Sequence, residues 1–167
     1  VLALLAAPVL AQVDDANSRL EQKLQFIFIT PCGNEGFFIP VKKGVRDAAR
    51  MMDVECSFIG TEDVDNGGQI AMTLQAIEDG YDGIALNLIH PTAFNEVVAE
   101  ALDKGVPVVA FNVDSNDPAN RRLSCVSQRL YEAGRTLGVR VLDSIPPNSQ
   151  VLMTMHSEGA SALDDRL

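Results

Sequence analysis

The chain has 167 residues, enough for one domain with a substantial buried core. Apolar residues make up 47% of it and the mean hydropathy is +0.09, a globular rather than a disordered composition. A formal net charge of -10 and a pI near 4.5, with no basic cluster anywhere, argue against nucleic acid or an anionic membrane as partner.

Residues 1–12, VLALLAAPVLAQ, read as the back half of a secretory leader. An apolar run too short to span a bilayer ends in Val9-Leu10-Ala11, where small residues would permit cleavage before Gln12. The expected organisation is a leader remnant over 1–11 and a polar mature extension over 12–22. The first strand follows at Gln25–Thr30, centred on the apolar run Phe26-Ile27-Phe28-Ile29. It breaks at Thr30-Pro31 into the loop Cys32-Gly33-Asn34-Glu35-Gly36, and Phe37 and Phe38 precede a helix. That helix carries Val41, Val45, Ala48, Ala49 and Met52 in phase.

A second strand is expected over Val54–Gly60. A helix from about Gly68 follows, with Ile70, Leu74 and Ile77 on one face and Asp79-Gly80 at its end. The third strand is placed at Gly83–Leu88, and a helix opened by His90-Pro91-Thr92 carries Phe94, Val97, Val98, Ala101 and Leu102 as far as Lys104-Gly105. Pro107–Phe111 is the fourth strand. Near-continuous apolar strands alternating with helices about every 25 residues predict an α/β fold, a doubly wound parallel sheet covered on both faces.

Beyond it the pattern changes. A turn-rich stretch, Asn112 to Pro118, leads to a short strand within Arg121–Val126, a helix over Leu130–Ser144 and the stop Pro146-Pro147-Asn148-Ser149. Gln150–Met155 reads as a further buried strand, with a loop at His156–Gly159 and a helix start at Ser161. A unit that stops one turn into its helix is expected to belong to a longer protein.

No phosphate-cradling glycine loop and no G-x-S-x-G elbow occur, so neither a nucleotide cofactor nor an elbow nucleophile is expected. His90 and His156 are too far apart in sequence to make a metal site without further ligands. The three cysteines, Cys32, Cys56 and Cys125, fit neither a zinc pattern nor a closed disulfide framework, and Cys32 has no histidine placed beside it by sequence. What recurs is polar residues on loops at the carboxyl ends of parallel strands, where open α/β sheets bind ligands. These are Asn34 and Glu35, Asn87 with His90, Asn112 with Asp114, and Arg166. Asn and Asp bridge adjacent hydroxyls and Arg adds a forked donor. Phe37 and Phe38 are either an apolar platform for a small polyol or core residues that staple the helix.

These features together resemble the type I periplasmic sugar-binding proteins of bacterial ABC importers, the ribose-binding-protein-like group related to the ligand cores of LacI-type repressors. The resemblance is carried by Asn34-Glu35-Gly36-Phe37-Phe38, Gly80-Tyr81-Asp82-Gly83-Ile84, Gly105-Val106-Pro107-Val108-Val109, Tyr131-Glu132-Ala133-Gly134-Arg135, and Gly159-Ala160-Ser161-Ala162 followed by Arg166. It implies two α/β lobes closing over one sugar, here a first lobe over 23–127 and the start of a second over 128–167. Phe37 and Phe38 would line the sugar ring. Asn112 would replace a carboxylate that binds hydroxyls, and Arg166 would match a ligand-binding arginine. Glu35 stands where ribose binders usually have Asn, and Asn112-Val113 where they have Asp-Arg, which points away from ribose. The expected function is capture of a monosaccharide-like ligand in the periplasm by a monomeric, non-catalytic protein that delivers it to an inner-membrane ABC permease. A ligand-sensing receptor module and a small α/β enzyme using Cys32 or the carboxylates are the alternatives.

Overall fold

The computed structural model describes residues 22–115, 117–154, 161–164 and 166. Five strands form one wholly parallel sheet in the order β2-β1-β3-β4-β5. They are β1 (Gln25–Thr30), β2 (Glu55–Gly60), β3 (Gly83–Leu86), β4 (Val108–Asn112) and β5 (Cys125–Ser127). The helices are α1 (Ile39–Met52), α2 (Asn66–Glu78), α3 (Asn95–Asp103) and α4 (Leu130–Leu142), with a 3-10 turn at Gly36–Phe38 and a helical turn at Ser161–Asp164.

Side-chain alternation divides the strands between two layers. Ile27, Ile29, Ile84, Leu86, Val108 and Ala110 face α2 and α3, whose Ala76, Ile77, Val97, Val98 and Ala101 complete the main core around a fully buried Phe94. The opposite face carries Phe28, Phe58, Ala85, Val109 and Phe111, packed with Phe38 and with Val41 of α1. On that face α1 buries only Val45, and Ala48, Ala49 and Met52 line an open apolar groove of about 260 Å³ with Phe26, Cys56 and Pro107. Chain order reverses between β1 and β3, which makes the carboxyl ends of those strands the switch point of the sheet.

Local chemistry sets the helix ends. Asp65, in extended conformation, accepts from Gly68 N at 2.9 Å and starts α2 two residues earlier than expected. Replacing Asp65 by Ala should cost about 1 kcal/mol in a urea melt, the ordinary value of an N-cap. Gly80 and Gly105, after α2 and α3, both have φ near +80°, the left-handed cap foreseen from their positions.

Several expectations are corrected. The buried stripe of α2 is Gln69, Thr73, Ala76 and Ile77, with Ile70 and Leu74 only partly buried. The helix is thus turned from its apolar phase because two polar residues find partners inside: Gln69 Nε2 donates to Asn87 O and Thr73 Oγ1 to Gln69 O. β3 ends at Leu86 and α3 begins only at Asn95. Gln150–Thr154 is exposed and forms no strand, because none of the described strands pairs with it. The leader read over 1–11, the extension read over 12–22 apart from residue 22, and the loop His156–Gly159 lie outside the described residues.

Candidate functional site

The carboxyl ends of β1, β3, β4 and β5 form a continuous edge, and each contributes a loop. At β1 the turn is closed by backbone bonds from Glu35 N to Cys32 O (3.0 Å) and Phe38 N to Glu35 O (3.1 Å), with Cys32 at φ +51°. Gly33 N donates to Thr61 O at 2.9 Å, which ties this loop to the end of β2. Asn34 and Glu35 are exposed. The two aromatics part company: Phe38 is 5% exposed and Phe37 66%. Phe38 stacks obliquely on Phe58 at 5.7 Å, and Phe37 stands edge-on to Phe38 at 5.0 Å with its outer face in solvent. Phe38 is therefore the staple, whereas Phe37 keeps an exposed ring face.

At the end of β3, Asn87 is buried. Its Nδ2 donates to Thr30 Oγ1 at 2.9 Å, and its backbone oxygen accepts from Gln69 Nε2 at 3.1 Å. Asn87 Oδ1 and Gln69 Oε1 are buried acceptors without a hydrogen-bond partner among the described residues. His90 is exposed; its Nδ1 accepts from Thr92 N and Ala93 N at 3.2 and 3.1 Å, so it caps the turn that leads to α3. That ring presents its other nitrogen outward as the donor when neutral.

At the end of β4, Asn112 adopts φ +64°, a conformation that Asn tolerates better than most residues. Leu88 N donates to Val113 O at 3.2 Å, joining the β3 and β4 loops. Asp114 forms a forked ion pair with Arg122 and accepts from Ser115 N at 2.8 Å. It lines a cleft of about 270 Å³ at the end of β5, together with Cys125, Ser127, Gln128, Arg129 and the first turn of α4. Arg166 is exposed and reaches this cleft through Gln128, its Nη2 donating to Gln128 Oε1 at 3.2 Å. Its backbone can lie there because residue 134 is Gly: a Cβ at that position would sit 2.0 Å from Arg166 O.

Asp114 thus lines the cleft at β5 and Arg166 bonds to Gln128 on its wall, whereas Asn34, Glu35 and Phe37 stand at β1. Two strand spacings separate β1 from β4, about 10 Å along the edge. Sequence reasoning missed Gln69 and Arg122. The first shows only as one polar residue inside an apolar helix, and the second only as one of two adjacent arginines.

Burial pushes the Cys32 thiol up, and the charges of Asp63 and Glu35 push in the same direction. Cys125 and Cys56 are likewise raised, chiefly by burial. In all three these influences favour the neutral thiol over the thiolate. No group of three metal-ligating side chains occurs among the described residues.

A family model described as a periplasmic binding protein domain matches residues 26–167. The xylose/arabinose-binding protein of Sulfolobus acidocaldarius is 29% identical over 151 residues, which cover 86% of this chain and 38% of that protein. Among solved structures, a glucose-galactose binding protein from Geobacillus stearothermophilus superposes with a TM-score of 0.79 at 23% identity, covering 87% of this chain and 51% of the other. An ABC transporter solute-binding protein from Burkholderia graminis, in complex with D-arabinose, gives 0.80 at 22% identity over 87% of this chain and 49% of that one. The chain spans 38% and 43% of the lengths of the curated relatives it matches.

Proposed function

Because this chain belongs to the periplasmic binding protein domain family, we propose that it is the first lobe, with the start of the second, of a solute-binding protein for a monosaccharide. The lobe boundary is put at 127/128, where β5 ends, two residues short of α4, a helix with no buried residue. The relatives that bear on the ligand are the xylose/arabinose-binding protein and the protein solved with D-arabinose, so pentoses come first, with glucose and galactose next.

The observation that carries the reading is Phe37, an aromatic face held out at the switch point by a buried neighbour. Asn34 and Glu35 flank it, and Asn112 and Asp114 lie about two strands away. A sugar offers one apolar ring face and a rim of hydroxyls. Phe37 meets the face, and Asn34, Glu35, Asn112, Asp114 and Arg166 meet the rim, with His90 exposed at the β3 loop and Asn87, buried behind it, tying that loop to Thr30. Phe38 serves the site by bracing Phe37. Contacts from a second lobe would then favour a closed state, and the closed form would be what an ABC permease in the membrane receives. The protein works outside the inner membrane as a monomer, exported by the leader read over residues 1–11, and catalyses nothing.

A thermal-shift screen of the full-length gene product against D-xylose, L-arabinose, D-arabinose, D-ribose, D-glucose and D-galactose tests this. A ligand at a hundred times its Kd adds about 2.7 kcal/mol, roughly 5–10 °C for a protein of this kind. One strong responder is expected; a folded protein that answers to none of the six contradicts a simple-sugar ligand.

A further inference from the structure

We infer that Arg122 is a positioning residue of the sugar site, acting through Asp114; the inference rests on the function proposed above. Arg122 is not among the residues lining the β5 cleft, but Asp114 is. The guanidinium grips that carboxylate through two nitrogens, Nη2 to Oδ2 at 2.7 Å and Nε to Oδ1, with both side chains about four-fifths shielded (17% and 21% exposed). A fork of this kind fixes the plane of a carboxylate as well as its place, which a point charge cannot do.

The same arginine also stitches the loop that follows β4. Its Nη1 donates to Asp117 O and Asn120 O at 3.3 and 3.2 Å, and Asn120 Oδ1 accepts from Arg122 N. Asn120 Nδ2 donates to Asn95 Oδ1 at 3.0 Å, and Asn95 Nδ2 to Asp117 Oδ2 at 2.7 Å, so the network ends on the first residue of α3. The backbone of Asn112, in its left-handed turn, leads directly into this clamped loop. Arg121 next door makes a quite different bond, an ion pair with Asp103 in which both side chains are more than half exposed. An exposed pair of that sort contributes little.

The test uses the full-length protein and calorimetric titration with whichever of the six sugars above binds. R122M should weaken that sugar about tenfold, a mid-range value for residues in one hydrogen-bond network. R122K should recover only part of the loss, D114N should lose about as much as R122M, and R121M should match the parent. In the D114N background, R122M should add less than about twofold, because its effect passes through Asp114. Unchanged affinity in R122M, even with a lowered melting temperature, overturns the inference and leaves Arg122 a merely structural residue. A full tenfold loss added on top of D114N overturns it too. If R122M does not fold, the comparison of R122K and D114N with R121M decides by the same criteria. A parent protein that binds none of the sugars sinks the functional reading and this inference together, an outcome distinct from a parent that binds and a variant that binds equally well.

Discussion

Replacing Phe38 by Ala will cost the protein about 3–5 kcal/mol of stability, whereas replacing Phe37 by Ala will leave stability within about 0.5 kcal/mol. The same two substitutions will act in the reverse order on sugar affinity. Phe38 is buried against Phe58 and belongs to the cluster with Phe28 and Phe111, so its removal opens a cavity that the surrounding rings cannot refill. Phe37 has most of its ring in solvent and loses only an edge contact to Phe38. As an aromatic anchor for a ligand, however, it should contribute about 2 kcal/mol, roughly thirtyfold in Kd. Urea melts and calorimetry on the two variants separate these roles. If Phe37→Ala binds sugar as tightly as the parent, the platform reading is wrong and the site lies elsewhere along the edge.

The second large effect is expected at Gly60. An Ala there would place its Cβ 2.5 Å from Thr30 O and 2.7 Å from Gly33 Cα, both backbone atoms with no flexible side chain to yield. The two loops would have to part, breaking Thr61 N to Thr30 O and Gly33 N to Thr61 O, two bonds of about 1 kcal/mol each. Added to about 1–3 kcal/mol of overpacking, Gly60→Ala should lose roughly 3–5 kcal/mol. A control is Gly44→Ala in α1, where a Cβ meets nothing within 4 Å and should stabilise the helix by about 0.5–1 kcal/mol. Equal effects at the two glycines would show that the close approach between the β1 and β2 loops is not maintained in solution. Because that approach holds the β1 loop, a surviving Gly60→Ala protein should also bind sugar more weakly.

Much of this was legible without coordinates. The run Phe26-Ile27-Phe28-Ile29 is apolar at every position and has the length and residue types of a buried strand, and the regular return of such runs between helical segments points to parallel pairing. The glycines at 80 and 105 marked helix ends because few other residues take the left-handed cap without strain. Parallel topology then puts the loops of Asn34, Asn87 and Asn112 at one edge, since every strand runs the same way. The fold class, and the gathering of these loops at one edge, therefore follow from period and composition alone.

What the tertiary structure decided is which side chain at each position turns inward. Phe37 and Phe38 are the same residue type at adjacent positions, and only the path of the 3-10 turn over Phe58 makes one core and the other surface. Gln69 and Thr73 lie outside the face of Ile70, Leu74 and Ile77 expected to be buried on α2, yet both are fully buried, Gln69 Nε2 bonding to Asn87 O and Thr73 Oγ1 to Gln69 O. Arg121 and Arg122 are indistinguishable as letters; one points to an exposed carboxylate on α3, the other into a carboxylate at the cleft. The hydrophobic period reports how much apolar surface a segment must hide. It carries no record of partners brought from 18 or 57 residues away, and those partners settle where each polar group lies.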